Sequence, residues 1–124
     1  MKLTQFLGGC HCATVRFSID IEPKAMIDCN CSICTKKGVL HVPVLDPQFT
    51  LLSGEDALVL YQFQTSAAQH WFCKHCGVHA FGRPRADPTR YTVNARCLDD
   101  FYDVFEGLPA KKFNGQMHPL DKPS

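Results

Sequence analysis

The sequence predicts a small, mainly β protein with little helix. Six or more short segments rich in β-branched and aromatic residues recur at roughly ten-residue spacing, and no long amphipathic helical stretch separates them. The chain has 124 residues, of which 45% are hydrophobic, which suits one compact domain and is too few for two with separate cores. We therefore expect a single domain over residues 1–124.

The clearest strand prediction is the segment 13–21, where apolar and polar residues alternate. One face would carry Ala13, Val15, Phe17, Ile19 and Ile21. Further short strands are predicted at residues 25–29, 39–45, 49–52, 57–63, 70–72, 78–81, 90–95 and 104–106.

Glycine and proline define the interruptions between these strands. Pro43 has no backbone N–H and is expected at a sheet edge or a bulge. A short helical turn is predicted after Cys31 and should end at Gly38, with another at residues 98–102. Gly8-Gly9 is expected to form a tight turn, and the tail 117–124 to be loosely held.

Seven of the eight cysteines lie in three tight clusters. The clusters are Cys10-His11-Cys12, Cys29-Asn30-Cys31-Ser32-Ile33-Cys34 and Cys73-Lys74-His75-Cys76. Thiols one or two residues apart on short turns can point at one centre, as four thiolates around a tetrahedral zinc require. In a reducing cytosol such thiols are more often metal ligands or redox groups than disulfides.

The odd number of clustered cysteines predicts two zinc ions of different kinds. Four thiolates close a structural zinc site, whereas three leave a coordination position open for water or substrate. A Cys-x-Cys at one end and a distant Cys-x-x-Cys suit a closed site made of Cys10, Cys12, Cys73 and Cys76. The triplet Cys29, Cys31 and Cys34 would then hold a second, labile zinc.

Two other interpretations of the triplet stay open. A fourth protein ligand would make it a second inert site, and the candidates are His41, His75, His79 and Cys97. Alternatively the triplet is a metal-free redox centre, although that chemistry is typical of a βαβ setting, which this sequence does not offer. Cys97 is otherwise expected to be a buried small apolar residue, and Trp71 and Phe72 to lie in the core.

An open zinc with three thiolate ligands suits chemistry on sulfur compounds. Such a site can bind an incoming thiol, lower its pKa and keep it as a nucleophilic thiolate at neutral pH. Addition of an aldehyde gives a hemithioacetal, and the reverse step is a carbon–sulfur lyase reaction. No residue is assigned as general base, for which His41 and His79 are candidates. Lysines or arginines near the metal would receive the carboxylates of a peptidic thiol.

Several classes of partner are not expected. The first residues lack the apolar run of a signal peptide, and no stretch is apolar enough for a membrane span, so we expect a cytoplasmic protein. The formal net charge of +1 does not suggest nucleic-acid binding, which requires a clustered basic surface. No feature of the sequence specifies an oligomeric state.

The cysteine motifs resemble a known family. Gly8-Gly9-Cys10-His11-Cys12, Asp28-Cys29-Asn30-Cys31-Ser32-Ile33-Cys34 and Phe72-Cys73-Lys74-His75-Cys76-Gly77-Val78 are similar, in this order, to the glutathione-dependent formaldehyde-activating enzymes. The similarity covers about residues 3–115. Details resemble the branch that includes the domain of centromere protein V: Lys36-Lys37, His41-Val42-Pro43, Pro84-Arg85, Cys97-Leu98-Asp99 and Phe113-Asn114-Gly115.

The resemblance implies a β-tent fold, in which small antiparallel sheets are fastened by zinc. It implies the same division of ligands, with the closed set structural and the triplet holding the second zinc. It also implies a carbon–sulfur lyase or synthase acting on a thiol such as glutathione and on formaldehyde or another small aldehyde. The continuation after Cys34, Thr35-Lys36-Lys37-Gly38, departs from the arginine-rich continuation of the founding enzymes. The alternative is a noncatalytic, zinc-stabilised protein-interaction module.

Overall fold

The computed structural model describes residues 3–63, 68–84 and 87–114. Within these ranges the chain forms ten strands and one short α-helix. The strands are β1 (Thr4–Gly9), β2 (Arg16–Ile21), β3 (Met26–Cys29), β4 (His41–Leu45), β5 (Phe49–Ser53), β6 (Leu58–Tyr61), β7 (Gln69–Cys73), β8 (His79–Arg83), β9 (Arg90–Asn94) and β10 (Ala110–Phe113). Helix α1 (Ser32–Lys37) lies between β3 and β4.

The strands form two sheets. Strands β1, β2 and β5 make a three-stranded antiparallel sheet with β2 in the middle. The other seven make a larger sheet in the order β10-β3-β4-β9-β8-β7-β6. Its pairs are antiparallel except β10 with β3, which run parallel. The prediction of a mainly β fold with antiparallel sheets and little helix is confirmed.

The core lies where the two sheets face each other. Phe17 of β2 and Phe49 of β5 project from the small sheet and meet Phe81 of β8 and Tyr91 of β9. The ring centroids of Phe49 and Tyr91 are 4.2 Å apart and the rings are stacked. Such aromatic pairs add about 0.5–1.5 kcal/mol beyond the burial of their area. They join the two sheets into one hydrophobic core.

The N-terminal strands differ from the prediction. The predicted strand 13–21 begins only at Arg16, because Ala13 has a φ of 66° and belongs to a turn. Strand β1 was not predicted, and it contains Gly8 and Gly9, which were expected to form a turn. A Cβ on Gly9 would lie 2.2 Å from the Val15 carbonyl oxygen, so glycine is needed here for close approach of two chain segments.

The prediction of a strand at residues 104–106 is wrong. A helical turn spans Phe101–Phe105 and buries both of its end residues. Two phenylalanines four residues apart lie on one face of a helical turn, which explains why this segment buries its aromatic rings as a helix. Strand β10 was also missed, because its side chains are exposed and show no alternation. The predicted tail 117–124 lies outside the described residues.

The segment around α1 follows the prediction. The helix begins after Cys31, and Gly38 ends it with a φ of 66°. Pro43 lies in β4 opposite Thr92 of β9, whereas β3 pairs with β4 only at His41. Pro43 therefore has a strand partner on one side, as expected for a residue without a backbone N–H. In the described ranges, no helix has the length and hydrophobicity needed to cross a bilayer.

Candidate metal centres

Two short turns bring four cysteines to one point between the sheets. Cys10 and Cys12 lie in the turn between β1 and β2, whereas Cys73 ends β7 and Cys76 lies in the turn before β8. Their sulfur atoms all lie within 4.8 Å of one another. The Sγ atoms of Cys10 and Cys12 are 3.6 Å apart, and those of Cys12 and Cys73 are 3.7 Å apart. We refer to these residues as the four-cysteine cluster.

The dimensions of the four-cysteine cluster fit a zinc ion. Tetrahedral coordination with Zn–S bonds near 2.3 Å places the sulfurs about 3.8 Å apart, which agrees with the two short distances. Backbone N–H groups of Val15 and His75 point at the sulfurs of Cys10 and Cys73, at 3.3 Å in both cases. Such N–H groups stabilise metal-bound thiolates. Gly77, with a φ of 76°, completes the second turn.

The buried Cys10 thiol is the member of this cluster that most needs a cation to ionise. Burial raises the pKa of the Cys10 thiol to about 11. A divalent cation reverses this effect, since a coordinated thiol is deprotonated outright. The four-thiol donor set, its spacing and the burial of Cys10 and Cys73 therefore suit a structural metal ion.

The second group of thiols comes from one local segment. Cys29 ends β3, Cys31 caps the N-terminus of α1 and Cys34 lies inside the helix. Their three sulfurs also lie within 4.8 Å of one another. The thiol and the backbone N–H of Cys34 both donate to Cys31 and lower the pKa of the Cys31 thiol to about 5. We refer to these three residues as the cysteine triplet.

None of the four candidate ligands completes the cysteine triplet in the described part of the chain. His41 Nε2 is 3.1 Å from the Cys34 sulfur, but it is not among the donors that lie within 4.8 Å of all the others. His75 is exposed, and His79 contacts Lys37 instead. Cys97 is half-buried and donates to the His79 carbonyl oxygen. The triplet is thus a three-donor set that His41 contacts from outside.

A row of polar residues lies on the outer face of the larger sheet, beside the triplet. Residues paired across antiparallel strands share a face, and alternate residues of a strand share a face. By this rule one face carries His41 of β4, its partner Asn94 and the alternate residue Thr92 of β9. Thr92 pairs with Gly82 of β8, and Gly82 pairs with His70 of β7, so these residues belong to the same face. This face is opposite to the one that packs on the hydrophobic core.

A β-bulge adds His79 to this face. Trp71 pairs with Phe81 whereas Phe72 pairs with His79, so the register skips Ala80. After such a bulge the side chains change face. His79 therefore lies beside Phe72 and His70, and the rings of His70 and His79 are 6.0 Å apart. The prediction that Phe72 is a core residue is wrong, because Phe72 alternates with the core-facing Trp71 and Cys73; its ring instead underlies Lys37, with the ammonium 5.8 Å from the ring centroid.

Burial keeps these histidines neutral. His79 is only 6% exposed, and burial lowers its pKa to about 3. Burial also lowers the pKa of His41 and of His70 to about 4. One ring nitrogen of each has no hydrogen-bond partner within the described residues: Nδ1 of His41, Nε2 of His70 and Nε2 of His79. Buried polar atoms without partners are rare in proteins, so these nitrogens indicate a place for a polar ligand.

Lys37 of helix α1 contacts this row of polar residues. It lies one turn after Cys34 on α1 and contacts His79 Nδ1 at 3.1 Å. Burial lowers the pKa of the Lys37 ammonium. We call Lys37, His70 and His79 the histidine pocket. His70 was not singled out from the sequence. It lies three residues before Cys73, just as His79 lies three residues after Cys76, and this symmetric spacing is the sequence signal that could have indicated it.

The comparison with known families decides the classification. The model of the glutathione-dependent formaldehyde-activating enzyme family matches residues 5–118, which is nearly the whole chain. The chain belongs to this family. A crystal structure of a Rhodobacter sphaeroides protein is similar, with a TM-score of 0.75 and 29% sequence identity. The match covers 85% of this chain and 99% of the Rhodobacter chain.

Proposed function

We propose that the protein is a zinc-dependent carbon–sulfur lyase or synthase that acts on a glutathione-like thiol and on formaldehyde or another small aldehyde. The observation that supports this function most directly is the three-sulfur donor set, which no fourth side chain completes in the described ranges. A three-ligand zinc site leaves a position for substrate. Membership in the family supports the choice of glutathione and formaldehyde.

In this proposal the four-cysteine cluster holds the structural zinc and the triplet holds the labile one. Zinc at the triplet would supply a Lewis acid that keeps a substrate thiol ionised at neutral pH. His41 positions the Cys34 sulfur through the 3.1 Å contact. In the synthetic direction the substrate sulfur forms a bond to the carbonyl carbon, and the carbonyl oxygen takes up a proton. The lyase direction breaks the same carbon–sulfur bond and returns the proton.

The environments of His41 and His79 do not suit the role of general base. With pKa values of about 4 and 3, the rings of His41 and His79 are neutral at pH 7 and weakly basic. Neutral imidazoles of low basicity suit hydrogen bonding to substrate better than abstraction of a proton from a thiol. We therefore assign neither as a general base.

Three narrower assignments belong to the same proposal. Residues 3–115 act as one domain, and the chain falls in the branch that includes the centromere protein V domain, as the motif His41-Val42-Pro43 suggests. The protein works in the cytoplasm, where clustered thiols stay reduced.

Exchange NMR with ¹³C-formaldehyde and glutathione tests the proposed function. Zinc-loaded protein should accelerate interconversion of free formaldehyde and its glutathione adduct. Cys31→Ser should lose most of this acceleration, whereas Cys97→Ser, which removes the thiol outside both clusters, should retain it. Metal analysis should give two zinc ions in the parent and one in Cys31→Ser. If the second zinc ignores thiols and no acceleration is seen, the noncatalytic interaction module is the correct interpretation.

A further inference from the structure

The histidine pocket has unused hydrogen-bonding capacity that the bond-forming step does not require. Nε2 of His70 and Nε2 of His79 are both buried without a partner in the described part of the chain. His79 is more than nine-tenths buried, so water does not freely satisfy this atom. An unpaired buried polar atom is costly unless a ligand pairs with it.

The lysine contact fixes which kind of ligand atom is missing. A lysine ammonium can only donate hydrogen bonds, so Nδ1 of His79 must accept from Lys37. The proton of the neutral His79 ring then resides on Nε2. Nε2 of His79 is therefore an unused donor, and the ammonium of Lys37 keeps further N–H groups. The pocket requires a hydrogen-bond acceptor.

The charge of Lys37 indicates that the hydrogen-bond acceptor is an anion. The ion pairs found in the described ranges leave Lys37 without a carboxylate partner. Lys37 is half-buried above the Phe72 ring, where its charge is only partly solvated. A partly buried cation beside neutral imidazoles favours an anionic ligand, and a carboxylate oxygen forms short, strong bonds with such donors.

A metal ion does not suit the same pocket. The nitrogens of His41, His70 and His79 do not form a group within 4.8 Å of one another among the described residues. The ammonium of Lys37 next to His79 would also repel a cation. The pocket thus differs in kind from both cysteine clusters.

The histidine pocket lies next to the cysteine triplet, because Lys37 and Cys34 belong to the same helix. Lys37 follows Cys34 by three residues on α1, which places the two side chains on the same face with Cβ atoms about 5–6 Å apart. A molecule whose sulfur lies at the triplet can therefore place a nearby carboxylate at Lys37. The adjacent exposed Lys36 points elsewhere on the helix.

We propose that the histidine pocket binds a carboxylate carried by the thiol substrate, and so selects acidic thiols over neutral ones. This inference rests on the proposed function, in which the sulfur of that thiol is held at the triplet. It assigns Lys37 as the charged contact and His79 Nε2 as the second donor, with His70 beside them.

A matched pair of thiols tests the selection. Protein loaded with Co²⁺ is titrated with 3-mercaptopropionate and with 3-mercaptopropionamide, and the thiolate-to-cobalt absorption gives each Kd. Lys37→Met should weaken binding of the acid by about tenfold or more, the size expected for loss of a charge-assisted hydrogen bond, and leave the amide within about twofold. Lys37→Arg should keep the preference. The control Lys36→Met should bind both thiols like the parent.

Two results overturn the proposal. The first is a parent protein that binds the acid and the amide equally well. The second is a Lys37→Met variant that weakens both thiols to the same extent while its circular dichroism shows a native fold. Either result means that the pocket does not recognise a carboxylate.

A sulfur-free probe separates this proposal from the proposed function. Propionate is titrated into protein with ¹⁵N-labelled histidines, and the signals of His70 and His79 are followed. If no thiol perturbs the cobalt spectrum, the open-site function fails, but propionate should still shift these signals in the parent and in Lys36→Met and not in Lys37→Met. Absence of such shifts in the parent overturns the carboxylate pocket itself.

Discussion

Replacing Cys73 by serine should destabilise the protein far more than replacing Cys31. The four-cysteine cluster joins residues 61 positions apart, since Cys12 and Cys73 meet through their sulfurs. A cross-link that closes a loop of this length removes about 4 kcal/mol of chain entropy from the unfolded state, by the relation used for disulfides. The triplet spans only the segment from Cys29 to Cys34, for which the same relation gives about 2 kcal/mol.

These magnitudes are large relative to the stability of a small domain. Such domains are stable by about 5–15 kcal/mol, so loss of 4 kcal/mol or more in Cys73→Ser should lower Tm by about 15 °C or prevent folding. Cys31→Ser should lose less than half as much and remain folded. Thermal unfolding followed by circular dichroism in zinc-containing buffer measures both, with Cys97→Ser as the control for removal of a half-buried thiol. Equal losses in Cys73→Ser and Cys31→Ser would refute the division into a cross-linking site and a local one.

Three further substitutions, the last with a matched control, test the packing and electrostatics. Asp99→Asn removes the partner of Arg16, whose hydrogen bonds lower the pKa of Asp99, and should cost about 0.5–1 kcal/mol at pH 7 in urea unfolding. Since the folded pKa is below the ordinary 3.8, this difference should be complete above pH 3.8 and be lost as pH falls through the folded pKa. Gly77→Ala should cost about 1–2 kcal/mol by calorimetry, because φ is 76° although the space around Cα is open. Phe105→Ala should cost about 3–5 kcal/mol by the same method, because this side chain is buried. The control Tyr102→Ala should cost less than about 0.5 kcal/mol, because Tyr102 is 77% exposed.

Each of these has a clear contrary result. An Asp99→Asn effect that persists unchanged at pH 2 would mean that packing, not charge, makes the contribution. A neutral Gly77→Ala would mean that the turn relaxes to a negative φ. Equal effects of Phe105→Ala and Tyr102→Ala would contradict the placement of the helical turn with one buried face.

The positions of the cysteine clusters could be predicted because ligand spacing is a local property. Cys-x-Cys and Cys-x-x-Cys turns present their thiols to one side whatever the rest of the chain does. The alternation of Val15, Phe17 and Ile19 predicted β2 for the same reason, because each of these side chains is buried. Strand β10 was missed because its pairing with β3 depends on backbone hydrogen bonds between distant segments, which leave no apolar pattern.

The sequence singles out His79, but its place beside His70 and Lys37 could not be predicted because it depends on register. A shift of one residue moves a side chain to the opposite face of a sheet, and the skipped Ala80 is such a shift. Without it, His79 would face the core and Phe72 would pair with Ala80. The sequence carries no local sign of this bulge, since alanine between histidine and phenylalanine is ordinary strand composition.

The turn between β7 and β8 connects the two kinds of site. Cys73 precedes this turn and Cys76 lies in it, while His70 lies three residues before Cys73 and His79 three residues after Cys76 on the two strands. The Phe72–His79 pair lies between this turn and the bulge at Ala80, so a metal-fixed turn also fixes the register that brings His79 to Lys37. Partial loss of metal from the four-cysteine cluster should therefore abolish the preference for acidic thiols before it abolishes binding of neutral thiols at the triplet. Titration of Cys76→Ser with the acid and the amide, well below its Tm, measures this coupling, and an intact preference in that variant would show that the hairpin keeps its register without the metal.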